Sequence, residues 1–168
     1  EKGLDLVLDA YPLLEKKLGK APALVLAGTG PLLPDALLAA KKFPNIRYVG
    51  FISSIEEMAR YYASADIGLA LSGWETFGLS ILESMASGNA QVAANTGAAA
   101  EHVRNSSAGC LLKKRTPEEL ADKIVLLLSL LDSNLKDSAR HYAERFSWKV
   151  CFERQLALYR ELALTPNY

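Results

Sequence analysis

Residues 72–97, SGWETFGLSILESMASGNAQVAANTG, constrain this chain more than any other part of it. A polar, glycine-bearing loop runs into a short helix, and the helix runs into a strand. Glu75 sits at the mouth of the helix and Glu83 lies eight positions on. Between them, Phe77-Gly78-Leu79 places bare backbone amides at the helix start. The first N–H groups of a helix have no internal partner, and the helix dipole adds partial positive charge there. A phosphate is the usual occupant of such a place. Gly78 has no side chain to hold a phosphate oxygen away.

Two carboxylates beside a phosphate repel it unless each has another role. A sugar nucleotide resolves the conflict, because its hydroxyls are donors that suit carboxylate acceptors. The diphosphate then sits on the amides of residues 76 to 79, with the sugar towards Glu75 and the ribose towards Glu83. On spacing alone a second reading stands level with this one. In it Glu75 only complements the helix dipole and Glu83 is a solvated helix residue.

Ser72-Gly73-Trp74-Glu75-Thr76-Phe77-Gly78-Leu79-Ser80-Ile81-Leu82-Glu83-Ser84-Met85-Ala86-Ser87-Gly88 resembles the E-x7-E signature of retaining glycosyltransferases of the GT-B fold (group 1, family four). That family's pattern reads roughly S-x-x-E-G-F-G-L-x-x-L-E-A-M-A-x-G. Spacing, most glycines, both glutamates and the apolar positions agree. The similarity runs from Lys2-Gly3 to Phe146-Ser147-Trp148. The resemblance implies a donor site for a nucleoside-diphosphate sugar. Within it, Lys2 and the amides of Thr76, Phe77, Gly78 and Leu79 hold the diphosphate, Glu83 holds the ribose, and Glu75 is the catalytic residue that orients the donor sugar. The Gly28-Thr29-Gly30 turn lies nearby, and Phe51 and Ile52 border the base, although a core role for those two stands equally.

In that family a Lys-Gly closes a phosphate loop, after a buried strand and an Arg. This chain opens at the Lys-Gly. The expectation is therefore one carboxyl-terminal donor-binding domain over 1–168, with the amino-terminal acceptor domain absent. The same resemblance implies no cofactor and no metal. It implies as partners the donor sugar nucleotide, the missing domain, and a sugar, lipid or glycan acceptor. The expected location is the cytoplasm, with the membrane periphery open to a full-length enzyme.

The sequence departs from the family pattern after Gly88. Asn89-Ala90-Gln91-Val92 stands where Lys-Pro and a valine-rich strand are usual. Gly97-Ala98-Ala99-Ala100-Glu101 stands for Gly-Gly and Pro-Glu, and Thr76 for a glycine. The methyl of Ala98 is expected to narrow any approach of ligand to backbone.

Helical spacing of Leu4, Val7, Leu8, Tyr11, Leu14 and Leu18 predicts a helix over 4–18, interrupted in its hydrogen bonding by Pro12. Apolar runs at 23–27, 46–49, 66–71, 90–94 and 109–112 predict strands, the first of them buried. Helices are predicted at 34–42, 54–64, from 78, and at 98–104. Thr116-Pro117-Glu118-Glu119 starts a long helical region with breaks near Ser133 and Phe146-Ser147. Alternating strands and helices make the fold class α/β: a Rossmann-like, mostly parallel single sheet with helices on both faces. The third strand delivers the chain to the Glu75 loop at the carboxyl edge, where open α/β sheets bind ligands. The mouth of that loop is expected to be open and polar.

The remaining composition narrows the alternatives. Nineteen basic residues balance nineteen acidic ones, which argues against a nucleic-acid partner. No apolar run nears the ~20 residues of a membrane span. Cys110 and Cys151 read as small buried hydrophobes, and with His102 and His141 they form no metal-ligand pattern. Two rivals remain: a sugar-nucleotide epimerase, marked by free isomerised sugar, and a non-catalytic nucleotide-binding domain.

Overall fold

The computed structural model describes residues 2–164. Glu1 and residues 165–168, which belong to the expected 1–168 domain, lie outside the described residues.

Strands and helices alternate as the periodicity predicts. They run α1 (Leu4–Leu18), β1 (Leu24–Ala27), α2 (Leu33–Lys42), β2 (Ile46–Gly50), α3 (Ile55–Ala63), β3 (Ile67–Ala70), α4 (Leu79–Ala86), β4 (Ala90–Ala94), α5 (Gly97–Ser106), β5 (Gly109–Leu112), α6 (Pro117–Ser129), α7 (Ser133–Glu144) and α8 (Trp148–Leu164). The local signals act as their chemistry demands. The Ser54, Thr116 and Asp132 side chains each accept from the backbone N–H three residues on, capping α3, α6 and α7. Pro117 opens α6, where its missing N–H costs nothing.

All strand pairing is parallel, but the strands form two sheets rather than the single one expected. One sheet is β1-β2 and the other is β3-β4-β5. The physical reason lies between β1 and β3. A groove of about 1120 Å³, lined by both strands and by α1 and α3, separates their facing edges. Adjacent strands must stand about 4.8 Å apart to pair, and these two do not. The expectation of a buried first strand is corrected with it: Val25 is 46% exposed.

β4 is the centre of the larger sheet and every one of its residues is buried. Its alternation feeds two cores. Ala90 and Val92 join Leu6, Ala10 and Leu14 of α1 and Leu120, Ile124 and Leu127 of α6. Ala93 joins Ile81, Leu82 and Met85 of α4, Val103 of α5 and Tyr142 of α7. Helices therefore cover both faces. A third, smaller core of Tyr11, Ala39 and Ile46 ties α1 to the β1-β2 sheet. Cys110 and Cys151 are free thiols and only half-buried.

The departures after Gly88 also have a structural role. Gln91 donates to Ser84 Oγ at 2.9 Å and to the Asn89 carbonyl at 3.0 Å. Asn89 donates to the Tyr62 carbonyl at 2.9 Å and to Ser84 Oγ at 3.2 Å. These buried amides are satisfied by one another, by Ser84 and by α3, so burial carries no desolvation penalty for an unpaired group.

Candidate functional site

β3 ends at Ala70, and the chain then passes over the carboxyl edge of the sheet into the 72–78 loop and α4. Gly78 caps α4 with φ 79°, a left-handed conformation that glycine adopts freely. A Cβ there would fall 2.9 Å from Ile81 Cδ1 and 3.3 Å from the His102 ring. The left-handed backbone thus favours glycine independently of any ligand, and the packing adds to it.

The loop is held from one side by α5 and the residue before it. Thr96 Oγ1 donates to the Gly73 carbonyl at 3.3 Å. The Ala98 N–H donates to the Glu75 carbonyl at 2.9 Å. His102 Nε2 meets the Phe77 carbonyl at 2.6 Å. Gly97 makes the middle contact possible, since a Cβ on it would stand 2.6 Å from the Glu75 oxygen. The Ala98 methyl, expected to obstruct a ligand, belongs instead to a residue whose amide braces the loop. Among the described residues, the N–H groups of Thr76, Phe77, Gly78, Leu79 and Ser80 have no protein acceptor. Those of Gly78, Leu79 and Ser80 are the unpaired donors that a helix start presents, and those of Thr76 and Phe77 belong to the loop before it.

Lys2 and Glu75 come together. Lys2 Nζ lies 3.0 Å from Glu75 Oε2, with the Lys2 side chain 69% exposed and that of Glu75 19%. Glu83 is exposed on α4 and faces α3. Burial pushes the Tyr62 phenol up, and the Glu83 carboxylate adds to that shift. Lys2, Gly28, Gly30 and Ser80 all line the groove between the sheets, which places the Gly28-Thr29-Gly30 turn across from the start of α4. Gly28 donates to the Gly50 carbonyl at 2.7 Å and accepts from the Tyr48 hydroxyl at 2.9 Å.

Phe51 and Ile52 differ in exposure: Phe51 is 73% exposed, while Ile52 is buried. The mouth of the loop is open, but its exposed large side chains are apolar rather than polar. Trp74 is 89% exposed and is joined by Phe77 and Leu79. Among the described residues no three His, Cys, Asp or Glu side chains gather as metal ligands. No described helix is long and apolar enough to cross a membrane.

The contact of His102 and Tyr142 with the loop escaped the sequence reading, which named His102 only in setting aside a metal site. Both sit in an aromatic cluster with Phe77 and Phe146. One signal was available: a histidine within the otherwise small, apolar Ala98-Ala99-Ala100…Val103 face.

Comparison with known proteins agrees with this geometry. The family model described as glycosyl transferases group 1 matches residues 1–130. The GDP-mannose-dependent alpha-(1-6)-phosphatidylinositol dimannoside mannosyltransferase of Mycobacterium tuberculosis is 34% identical over 167 residues, covering 99% of this chain and 43% of that protein. The D-inositol 3-phosphate glycosyltransferase of Corynebacterium urealyticum is 30% identical over 176 residues, covering 99% and 42%. The chain thus spans less than half the length of these relatives. Among solved structures, the C-terminal domain of a glycosyl transferase group 1 family protein (LpcC) from Francisella tularensis superposes with a TM-score of 0.65 at 29% identity, covering 84% of this chain and 75% of that one. Anabaena HepE, solved in complex with UDP-glucose, shares the fold at a TM-score of 0.75 and 22% identity, covering 95% and 45%. A family match over most of its length and a Rossmann-like fold shared with GT-B enzymes establish that this chain belongs to the group 1 glycosyltransferases.

Proposed function

We propose that the chain is the donor-binding part of an enzyme that transfers a sugar from a nucleoside-diphosphate sugar to an acceptor with retention. The observation that carries this reading is the convergence of unpaired amides at residues 76–80 with Lys2 and Glu75 at one sheet edge. The diphosphate occupies the amides, with Lys2 as the cation. Glu83 takes the ribose hydroxyls, and Glu75 orients the donor sugar and stabilises the reacting centre electrostatically. Fixed donors aimed at the leaving diphosphate stabilise the charge that grows on it, which is the larger catalytic contribution. Glu75 is not assigned as a covalent nucleophile; departure and attack occur on one face. In this reading amides and Lys2 carry the charge without a metal or added cofactor, and the enzyme works in the cytoplasm.

The acceptor, whether sugar, lipid or glycan, belongs to a second domain. Calorimetric titration with a panel of sugar nucleotides tests the reading. GDP-mannose leads the panel because the mycobacterial relative is named for it. Weak binding of one nucleoside-diphosphate sugar, without transfer by this chain alone, is the expected result. Failure of the whole panel to bind, or transfer by the pure chain, overturns it.

A further inference from the structure

The three brace points on the 72–78 loop are alternate carbonyls, those of Gly73, Glu75 and Phe77. In a planar trans peptide the C=O and the following N–H point in opposite directions. Drawing the Glu75 and Phe77 carbonyls towards α5 therefore turns the Thr76 and Gly78 N–H groups away from α5. Both amides lack a protein acceptor. Orientation of this anion-facing pair is thus decided on the far side of the loop, by what holds the two oxygens.

The Glu75 oxygen is held by a backbone amide that any residue but proline supplies. The Phe77 oxygen is held by a side chain. His102 is 4% exposed, and its ring packs edge-on to Phe77, Tyr142 and Phe146. A carbonyl only accepts, so the ring proton at this contact is on Nε2. The other nitrogen, Nδ1, lies 3.1 Å from the Tyr142 hydroxyl. With the ring proton on Nε2, Nδ1 of the neutral imidazole is a bare acceptor, so the Tyr142 hydroxyl donates to it. The chain of donors therefore runs Tyr142, His102, Phe77 carbonyl. Each bond fixes the direction of the next, as a second partner on a ring nitrogen fixes a histidine's tautomer.

We propose that His102, locked as the Nε2–H tautomer by Tyr142, is a positioning residue that sets the Phe77–Gly78 peptide plane and thereby aims the Gly78 amide at the donor's diphosphate. The proposal rests on the donor-site reading above, but its first half is readable without a ligand. His102 does not touch the donor; it acts through one peptide unit.

The test combines nitrogen NMR of the imidazole with titration of GDP and inorganic pyrophosphate, on wild type, H102Q, H102L and Y142F. In wild type the ring should be the Nε2–H tautomer, with scalar coupling across the bond to the Phe77 carbonyl. H102Q keeps a donor at the same reach and should retain pyrophosphate binding within about twofold, while H102L should lose about tenfold, one charge-assisted contact's worth. Only H102L should move the Gly78 amide resonance strongly. Y142F preserves the packing and should mix the two tautomers. An Nδ1–H ring in wild type, or H102L that binds like wild type with an unmoved Gly78 amide, overturns the proposal. If H102L does not fold, a pure Nε2–H ring persisting in Y142F overturns the lock. If wild type shows the tautomer and coupling but binds neither GDP nor pyrophosphate, the donor reading fails and the setting of the peptide plane by His102 stands.

Discussion

Lys2 and Glu75 form an ion pair across 73 residues of sequence, Nζ to Oε2 at 3.0 Å. Each is thereby kept from the role the other would spoil. A bare Glu75 would repel a diphosphate, and a bare Lys2 would hold any stray anion. The exposed lysine end means that the pair adds little to the fold.

Lys2→Ala should therefore lower the melting temperature hardly at all, since exposed pairs contribute within about 1 kcal/mol. Diphosphate affinity should fall several-fold and lose part of its salt dependence. Scanning calorimetry beside nucleotide titration at two ionic strengths separates the effects. A large thermal shift with unchanged affinity would make Lys2 a structural tether instead.

Gly97→Ala should be costly where Ala98→Gly is tolerated. Gly97 has φ 59°, and an added Cβ would stand 2.6 Å from the Glu75 oxygen. Backbone strain and loop displacement together should cost about 1–3 kcal/mol, measured by urea unfolding. An equal effect of the two substitutions would show that α5 does not brace the loop at this point.

The role of Glu83 is decided by a ligand cycle. Wild type should prefer ribonucleotides to their 2′-deoxy forms, and Glu83→Ala should largely lose that preference while binding about tenfold more weakly. The same ribo/deoxy ratio in both proteins removes Glu83 from the ribose.

A pH effect is expected at the start of α6. The Glu119 carboxylate accepts from the backbone N–H groups of Lys113 and Lys114. The Lys113 bond, above all, holds its pKa below the ordinary glutamate value. A folded-state pKa below the unfolded one stabilises above the unfolded value, and that stability drains away as pH falls through the folded value. Glu119→Gln should therefore flatten the acid limb of a stability–pH curve from about pH 4.3 downwards. Parallel curves for the two proteins would remove Glu119 from the acid transition.

Much of this molecule is legible in its sequence because its signals are local. The Thr116 cap, the Gly19 stop and the apolar run of β4 each act within a few residues. The Lys2–Glu75 pair is different, since only the E-x7-E resemblance brings both residues to one donor site. Two misreadings have long-range causes. The single sheet failed because strand patterning says which segments are strands and not which edges meet. The bracing role of His102 went unread because its partners, the Phe77 carbonyl and Tyr142, are 25 and 40 residues away. The apolar mouth, with Trp74 exposed, was missed because loop residues follow no periodicity that separates buried from open.

α1 carries two faces into two cores: Leu6, Ala10 and Leu14 into the larger, Tyr11 into the smaller. Among the described residues it is the element those two cores share. The β1-β2 layer thus shares its small core with the rest through one face of this helix, beside the groove. Such a lobe can fray while β4 stays closed, because native proteins open in cooperative pieces. Amide exchange should then split the molecule in two, with β1 and β2 exchanging at a lower free energy than β4. A single melting temperature would describe neither piece.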